Sequence, residues 1–415
     1  MRSLADLRAR IVRGARQVGG SCVELECDGT RIVIDVGLPL GDTTSYRELM
    51  PDVPGLWASG DGTLRAVVLS HNHPDHCGLA DLIDPGVALL CGRAGQDIWN
   101  AAAFFVPGLT PFAATSHLQH RVPVTIGPFV VTPWLVDHSA YGAHSLVIEA
   151  AGRRLLYTGD IRATGRKPRT LDDIAAGIGD VDVVVMEGTQ INNPGRAVTE
   201  TDVERTAADI LRSTPGLGLA FFSAMNVDRL VSLYRAARAA GRDFVMDLYT
   251  ACIARATGNA SIPQPDWDGV RVYLPNSQRR RIIESGDFAL VDAIRPARIH
   301  HEEIAVRTAE LVITCRASML RELRACLSGA TALWSMWDGY LHPGRDGGLE
   351  STLRRYGVPM CRVHASGHAS RDTLQRFASA LRPGYVVPIH TDQPAAFQHA
   401  FDNVRVHSDG EWWSV

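Results

Sequence analysis

Three histidines and one aspartate follow one another closely in the segment Ser70-His71-Asn72-His73-Pro74-Asp75-His76. In an extended segment, side chains two residues apart share a face, so His71 and His73 point the same way. Pro74 favours the first turn of a helix, which would carry Asp75 and His76 and offset them from the first pair. Imidazole and carboxylate together suit Zn²⁺, with Mn²⁺ as the alternative. The spacing therefore predicts a metal site with two adjacent ligand sets.

Two further residues of ligand type follow strands later in the chain. His138 comes after the apolar run 129–136, and Asp160 comes after the run 154–158. Loops that follow strands of an α/β core converge on one edge, so we expect both residues near the first cluster. A single histidine after a strand is more often a packing or surface residue. It is the combination with the closely spaced cluster that indicates a metal centre.

The elements that would position these residues change in character near residue 182. Before it, short strands predominate, and Asp28-Gly29 predicts a hairpin turn between two of them. After it, strands alternate with helices, which predicts βαβ units around a largely parallel sheet. The predicted strands are 22–27, 31–36, 64–70, 129–136, 145–150, 154–158, 181–186, 218–222, 243–248, 270–274, 310–315, 331–335, 358–364 and 385–390, and the main predicted helices are 200–212, 227–240, 371–381 and 395–401.

Length and composition limit the classes of protein to which this chain can belong. The chain has 415 residues, more than one hydrophobic core usually holds, which favours two or three domains. The formal net charge of −3 argues against a surface coated with basic side chains for nonspecific nucleic-acid binding, but it leaves room for a local basic groove. The apolar stretch 101–114 contains two prolines and is too short to cross a bilayer. We therefore expect a cytoplasmic protein without membrane contact.

Several of these residues resemble, in order, the motifs of the metallo-β-lactamase superfamily: Asp35 in Ile34-Asp35-Val36-Gly37, the His71–His76 cluster, His138 and Asp160. The resemblance implies an αββα sandwich with a dinuclear centre at one edge. By this match, His71, His73 and His138 would hold one metal, Asp75 and His76 would hold the second, and Asp160 would bridge the two. Asp35 would orient a ligand histidine without binding metal itself.

Three later motifs are similar to motifs A, B and C of the β-CASP nucleases, the group that includes ribonuclease J. They are Met186-Glu187-Gly188-Thr189, His364-Ala365-Ser366-Gly367-His368-Ala369-Ser370 and Pro388-Ile389-His390-Thr391. The resemblance implies an α/β chain in which a β-CASP domain with a parallel-type sheet, residues 201–356, is inserted into a metallo-β-lactamase domain formed by 1–200 and 357–415. It also implies His390 as a ligand of the second metal.

This arrangement suits the hydrolysis of a phosphodiester. Two metal ions hold a bridging hydroxide at neutral pH and bind the non-bridging oxygens of the phosphate. The leaving oxygen needs a proton, and His368, positioned by Glu187, is the predicted donor. Asp75 is predicted to be a catalytic residue as well as a metal ligand. The predicted contacts to substrate phosphates are Arg162, Arg166, Lys167, His364, Ser366 and Gly367, although His364 is equally well explained as the end of a strand.

The first hypothesis is therefore a metal-dependent ribonuclease, either an exonuclease or an endonuclease, acting on single-stranded RNA, with DNA as the second choice. The acidic net charge favours an alternative, a hydrolase of small or cyclic phosphodiesters on the same scaffold. A more distant alternative is a non-catalytic subunit that binds RNA or partners, and the complete ligand set argues against it. A homodimer is expected only by analogy.

Three other features have ordinary explanations. The run Arg279-Arg280-Arg281 is more often a solvated helix face than the lining of a nucleic-acid groove. His144 is either a wall residue of the metal site or part of the core. Trp412-Trp413 more often serves packing than base stacking.

Overall fold

The computed structural model describes residues 6–41, 49–167, 171–195, 197–342 and 348–415. The described residues form two compact units. The first unit comprises Met1–Asn100, Leu109–Ala197 and Gly367–Val415, and the second comprises Ala101–Gly108 and Val198–Ser366. The division into domains 1–200, 201–356 and 357–415 remains a prediction.

One face of the first unit's sandwich is a seven-stranded sheet. Its strands are β1 (Arg8–Arg13), β2 (Cys22–Cys27), β3 (Thr30–Ile34), β4 (Leu64–Val68), β5 (Ala88–Gly92), β6 (Ser116–Leu118) and β19 (Trp412–Ser414). The order is β19-β1-β2-β3-β4-β5-β6, antiparallel from β19 to β3 and parallel from β3 to β6. Asp28 and Gly29 both have positive φ, as a two-residue hairpin turn requires, which confirms the predicted turn.

The facing sheet has six strands. They are β7 (Val124–Ile126), β8 (Phe129–Leu135), β9 (His144–Ala150), β10 (Arg153–Tyr157), β11 (Val183–Glu187) and β18 (Tyr385–Ile389), in the order β18-β11-β10-β9-β8-β7. Alternate residues of both sheets, such as Ile11, Val23, Ile148 and Leu155, form one buried cluster between them. Burial of apolar side chains between two sheets is the main source of stability in such a sandwich.

The second unit has a single six-stranded sheet in which all pairings are parallel. Its strands are β12 (Gly218–Phe221), β13 (Asp243–Asp247), β14 (Val270–Tyr273), β15 (Leu311–Thr314), β16 (Thr331–Trp334) and β17 (Met360–Arg362), in the order β14-β13-β15-β12-β16-β17. Separate apolar clusters cover its two faces. A parallel sheet needs this double cover because both of its faces are apolar. The predicted βαβ pattern is confirmed.

Twelve α-helices connect these strands in the described part of the chain. They are α1 (Pro74–Cys77), α2 (Arg93–Phe105), α3 (Leu171–Ile178), α4 (Glu200–Ser213), α5 (Val227–Ala239), α6 (Leu248–Ala256), α7 (Asn276–Ser285), α8 (Ala289–Asp292), α9 (His301–Val306), α10 (Leu349–Arg355), α11 (Arg371–Leu381) and α12 (Phe397–Ala400). Within the described ranges, none of them combines the length and the apolar character that a bilayer crossing requires.

Side chains cap the start of two of these helices. Ser370, the last residue of His364–Ser370, accepts a hydrogen bond from the backbone N–H of Thr373 at the start of α11. Asn226 does the same for Arg229 at the start of α5. Such caps satisfy N–H groups that have no partner within the helix, so these two residues define where their helices begin.

Candidate metal centre

The predicted ligands lie together in the first unit, in loops that follow strands of both sheets. His71 to His76 follow β4, His138 follows β8, Asp160 follows β10 and His390 follows β18. The ligand atoms of His71, His73, His138 and Asp160 lie within 4.8 Å of one another. Those of Asp75, His76 and His390 form a second group that meets the same limit. The structure therefore brings together all seven residues predicted to bind metal.

Asp160 lies between the two groups. Its Oδ2 is 3.7 Å from Nε2 of both His71 and His138, and 3.3 Å from Nε2 of His76. Its Oδ1 is 3.7 Å from Nδ1 of His390. One carboxylate thus faces histidines of both groups, as expected for a residue that bridges two cations.

Asp35 organises the loop after β4 from the buried side. Its Oδ1 accepts a hydrogen bond from the Ser70 backbone N–H at 2.7 Å. Its Oδ2 lies 2.7 Å from Ser70 Oγ, 2.8 Å from Tyr157 OH and 2.8 Å from His76 Nδ1. The Nδ1 contact directs the opposite ring nitrogen of His76 toward Asp160. This is the arrangement of a carboxylate that orients a ligand histidine.

His390 is held by two partners and an uncommon backbone conformation. Its Nδ1 lies 2.8 Å from Thr189 Oγ1, and its Nε2 lies 3.2 Å from Asp75 Oδ2. Its φ is 52°, a left-handed value that side chains other than glycine rarely adopt. Such strained conformations are maintained where the surrounding structure fixes a side chain for a functional purpose.

The residues fit a divalent cation in two respects. Among the described residues, His71 Nε2 and Asp160 Oδ1 are buried without a hydrogen-bond partner, an arrangement that costs free energy unless a ligand satisfies them. Burial, reinforced by the neighbouring histidines, also holds the pKa of His71 and of His138 well below the ordinary value. Both rings are therefore neutral at pH 7 and present a lone pair, which is the form that binds metal.

His368 and Glu187 form a pair beside these ligands. His368 Nδ1 lies 3.3 Å from both Glu187 carboxylate oxygens and 3.8 Å from Asp160 Oδ2. Burial disfavours the protonated form of the ring, but the negative charges of Glu187 and Asp160 outweigh this effect and raise the pKa of His368 to about 9. In the absence of bound cations this ring is therefore protonated at neutral pH. Glu187 is fully buried, and its Oε2 accepts a hydrogen bond from the Thr189 backbone N–H.

Two glycines allow loops of the centre to pack closely. A Cβ on Gly37 would lie 1.7 Å from the carbonyl oxygen of Asp75, so only glycine fits there. A Cβ on Gly367 would lie 2.8 Å from Ser139 Oγ. The Gly367 carbonyl accepts a hydrogen bond from His138 Nδ1 at 2.6 Å, so this residue orients a predicted ligand.

The predicted phosphate contacts fall into different surroundings. Arg162 is fully buried and forms an ion pair with Asp137 at 3.1 Å, so the prediction that it contacts substrate phosphates does not fit its position. The side chain is held by the carboxylate next to His138 and stabilises the loop after Asp160. Arg166 and Lys167 are half-buried, and the Lys167 ammonium lies 5.9 Å from the centre of the Tyr141 ring.

His364 and Ser366 belong to the second unit. His364 Nδ1 lies 3.2 Å from a guanidinium nitrogen of Arg229, which also pairs with the buried Glu200. Burial, and then the charge of Arg229, lower the pKa of His364 to about 4. Ser366 is half-buried at the end of this unit. The role of both residues in phosphate binding stays a prediction.

Several residues that hold the ligands in place were not predicted from the sequence. They are Ser70, Tyr157, Thr189 and the carbonyl of Gly367. Ser70 and Thr189 lie inside the quoted motifs, so their position next to a ligand or a carboxylate was an available signal. Tyr157 ends β10 three residues before Asp160 and had no comparable signal. His144, predicted to be either a wall residue of the metal site or part of the core, is 4% exposed and packs in the interior.

Comparison with known proteins agrees with this geometry. Residues 30–233 match the family described as beta-lactamase superfamily domain, and residues 360–403 match the Zn-dependent metallo-hydrolase RNA specificity domain. The chain is 24% identical to ribonuclease J of Mycolicibacterium smegmatis, over 92% of this chain and 68% of that protein. It is 23% identical to ribonuclease J of Sinorhizobium meliloti, over 89% and 65%, and to that of Corynebacterium glutamicum, over 92% and 53%. The chain thus spans about half to two thirds of the length of these relatives.

A solved structure shows the same fold. The crystal structure of a protein of unknown function from Enterococcus faecalis V583 superposes with a TM-score of 0.80 at 20% identity, covering 99% of this chain and 100% of that one. The predicted fold class, a sandwich of the metallo-β-lactamase type with a β-CASP domain, is confirmed. With the motifs, the two matching families and the ribonuclease J relatives taken together, the chain belongs to the β-CASP group of the metallo-β-lactamase superfamily.

Proposed function

We propose that this chain is a metal-dependent ribonuclease that hydrolyses phosphodiester bonds at the centre described above. The observation that carries the proposal is the position of Asp160, whose carboxylate faces histidines of two ligand groups and also His368. A site for two cations and a candidate proton donor therefore meet at one carboxylate. The match of residues 360–403 to an RNA specificity domain supports RNA as the substrate.

The residues that would hold the cations are the seven already placed. His71, His73 and His138 would bind the first, Asp75, His76 and His390 the second, and Asp160 both. Divalent cations, Zn²⁺ first and Mn²⁺ as the alternative, would supply Lewis-acid activation of water and of the phosphoryl oxygens. Asp35, Ser70 and Thr189 hold the ligand rings in the orientation that binding requires.

The chain's own proton chemistry is assigned to His368. Glu187 contacts Nδ1 of this ring and fixes its orientation, so Nε2 is the nitrogen that would donate a proton to the leaving oxygen. Glu187 is a positioning residue in this scheme. Lys167 and Arg166, on the loop after Asp160, would contact flanking phosphates, and the buried Arg162 would hold that loop through Asp137.

The proposal is tested with a single-stranded RNA carrying a 5′-monophosphate and a 5′-end label, in the presence of Zn²⁺ or Mn²⁺. His368→Ala is compared with His300→Ala, a matched change at an exposed histidine of the second unit. We expect cleavage by the wild type and by His300→Ala, with a loss of roughly 10²–10⁴-fold in His368→Ala. Release of labelled mononucleotide indicates an exonuclease, and internal fragments indicate an endonuclease.

Single-stranded DNA and bis-p-nitrophenyl phosphate serve as parallel substrates, and bound metal is counted by elemental analysis. Hydrolysis of the small diester while both polymers stay intact would favour the small-phosphodiester alternative. Protein that holds about two metal ions per chain and cleaves none of the three substrates contradicts the proposal. The homodimer, expected by analogy, and the cytoplasmic location, expected from composition, remain predictions.

A further inference from the structure

Three aromatic rings pack against one another in the second unit, and neither the motifs nor the metal chemistry account for them. The rings of Phe104 and Phe105 are 4.8 Å apart, and those of Phe105 and Tyr249 are 5.2 Å apart at an angle of 33°. We call Phe104, Phe105 and Tyr249 the ring ladder. Phe104 and Phe105 are half-buried, so their rings retain surface that solvent reaches.

An arginine lies over each end of the ring ladder. The guanidinium of Arg316 lies 4.7 Å from the centre of the Tyr249 ring, and that of Arg281 lies 5.6 Å from the centre of the Phe104 ring. Arg281 Nε also donates a hydrogen bond to the Phe104 carbonyl at 2.8 Å. The run Arg279-Arg280-Arg281 is predicted to be a solvated helix face, but its last residue lies against the Phe104 ring.

Arg316 is held in position by a buried carboxylate. Its Nε donates to Asp247 Oδ2 at 2.8 Å, while the side chain stays 30% exposed. Gln278 of α7 donates to the same Asp247 oxygen at 2.6 Å and accepts from the Tyr249 backbone N–H. One hydrogen-bond network thus fixes both the cation and the ring beneath it, while the Arg316 side chain remains part-exposed.

The location favours ligand binding on independent grounds. Arg316 follows β15 and Tyr249 follows β13, so both lie at the carboxyl edge of the parallel sheet. The chain leaves β13 toward β14 on one side and leaves β15 toward β16 on the other, so the direction of the connections reverses between the neighbouring strands β13 and β15. Ligands of open parallel α/β sheets bind outside the carboxyl ends at such a reversal.

We propose that Phe104 and Phe105 stack against the bases of single-stranded nucleic acid, supported by the buried ring of Tyr249, while Arg281 and Arg316 contact the backbone phosphates of that strand. Every base has a flat aromatic face, so aromatic rings bind bases without regard to sequence, and arginine adds both a stacking plane and a positive charge. This combination distinguishes a nucleic-acid strand from an apolar peptide, which would not need a cation at each end. The identification of the strand as RNA rests on the proposed function.

Binding is measured by fluorescence anisotropy with a labelled oligoadenylate of about twelve nucleotides, which exceeds the span of one stacking surface. The competitor probe is a strand of equal length that carries the ribose-phosphate backbone without bases. A chelator is present throughout, so that no cleavage occurs and the result does not depend on whether the protein is a nuclease. Phe104→Ala is compared with Phe288→Ala, a phenylalanine of the same unit that is 56% exposed and lies outside the ladder.

We expect Phe104→Ala to weaken oligoadenylate binding by roughly 5- to 150-fold and to leave binding of the base-free strand unchanged. Phe288→Ala should match the wild type on both probes. Arg281→Ala, compared with Arg280→Ala, should weaken both probes and reduce the slope of log affinity against log salt by about 0.7. The arginine pair keeps the proposal testable if Phe104→Ala fails to fold, which its thermal melting curve would reveal.

The proposal is overturned if the wild type binds neither strand, if it binds the base-free strand as tightly as oligoadenylate, or if Phe104→Ala and Phe288→Ala behave alike. Binding that follows this pattern in a protein that cleaves no RNA would overturn the proposed function and leave the ring ladder assignment standing. Cleavage of RNA without an effect of Phe104→Ala or Arg281→Ala on binding would support the proposed function and overturn the ring ladder assignment.

Discussion

The Oδ2 atom of Asp35 lies 2.8 Å from Nδ1 of His76, and Nε2 of the same ring faces Asp160 at 3.3 Å. The same oxygen also accepts hydrogen bonds from Ser70 Oγ and Tyr157 OH. Although burial opposes the charged ring, the carboxylates of Asp160 and Asp35 hold the pKa of His76 well above its ordinary value. A single buried carboxylate therefore joins both sheets of the sandwich to one predicted ligand.

Replacing Asp35 with asparagine should weaken metal binding by about 10- to 100-fold. The amide nitrogen of asparagine cannot accept the hydrogen bonds that Oδ2 now accepts, so the His76 ring loses its orientation. Affinity is measured by competition with a chromophoric chelator. Asp268→Asn, at a side chain that is 99% exposed, is the matched control. Equal affinities for the two variants would show that Asp35 does not orient the ligand.

Gly37→Ala should lower metal affinity without touching a ligand side chain. The new methyl group would overlap the Asp75 carbonyl, because the ideal position is only 1.7 Å away, and relieving that overlap must move Asp75 and His76. Gly86→Ala is the control, since its Cβ would meet only the end of the Asp84 side chain at 3.0 Å. Metal content per chain after dialysis should fall for the first variant alone. Full metal content in Gly37→Ala would mean that the backbone adjusts elsewhere.

Glu187→Gln separates proton transfer from metal binding. Glutamine keeps the shape of the side chain but removes the charge that holds the His368 ring, so kcat on RNA should fall by about 10- to 100-fold with KM nearly unchanged. Bound metal should stay at the wild-type level. A parallel loss of metal would instead identify Glu187 as a ligand, since its carboxylate belongs to a third group of close donor atoms with Asp160, His368 and His390.

The fold could be predicted largely because its patterns are local. Alternating strands and helices after residue 182 follow from periodicity, and the predicted strands 218–222 and 243–248 differ from the observed ones by a single residue. Strand β1 was not predicted, since Arg8, Arg10 and Arg13 make its sequence basic, although Ala9 and Ile11 between them face the core. Helix α2 was missed because the apolar stretch 101–114 was considered as one piece, although its helical part ends at Phe105.

The candidate site was also predictable where the signal is local, and not where it depends on residues distant in sequence. The candidate ligands of the His71–His76 cluster, His138 and Asp160 follow from residue type and spacing, because the chemistry of metal binding admits few side chains, whereas His390 was implied by the family resemblance alone. The burial of Arg162 and Tyr157 could not be predicted from the sequence. It depends on partners that are distant in sequence, namely Asp137 for Arg162 and Asp35 for Tyr157. The ring ladder joins Phe104 to residues 249 and 316, a contact that no local pattern indicates.

Arg162→Ala should destabilise the protein by about 3–5 kcal/mol, because it removes a fully buried cation that pairs with the Asp137 carboxylate at 3.1 Å. Lys167→Ala, on the same loop but half-buried, should change stability by no more than about 0.5 kcal/mol. Lys167→Ala should instead reduce the slope of log RNA affinity against log salt concentration by about 0.7. Denaturant unfolding and salt titration measure the two effects. A stable Arg162→Ala variant with weakened RNA binding would restore the phosphate contact first predicted for Arg162.

His144 should make the folded state sensitive to acid. Burial lowers its pKa to about 4, while in the unfolded chain the ring takes up a proton near pH 6.5. The unfolded state therefore binds more protons between these values, so the free energy of unfolding falls as the pH drops from about 6.5 to about 4, by about 3 kcal/mol in total. His144→Gln should remove this part of the pH dependence, and His300→Gln, at an exposed histidine, should retain it. Urea titrations of the metal-free protein at pH 7, 6 and 5 measure the difference, and parallel curves for the two variants would show that His144 is not the group responsible.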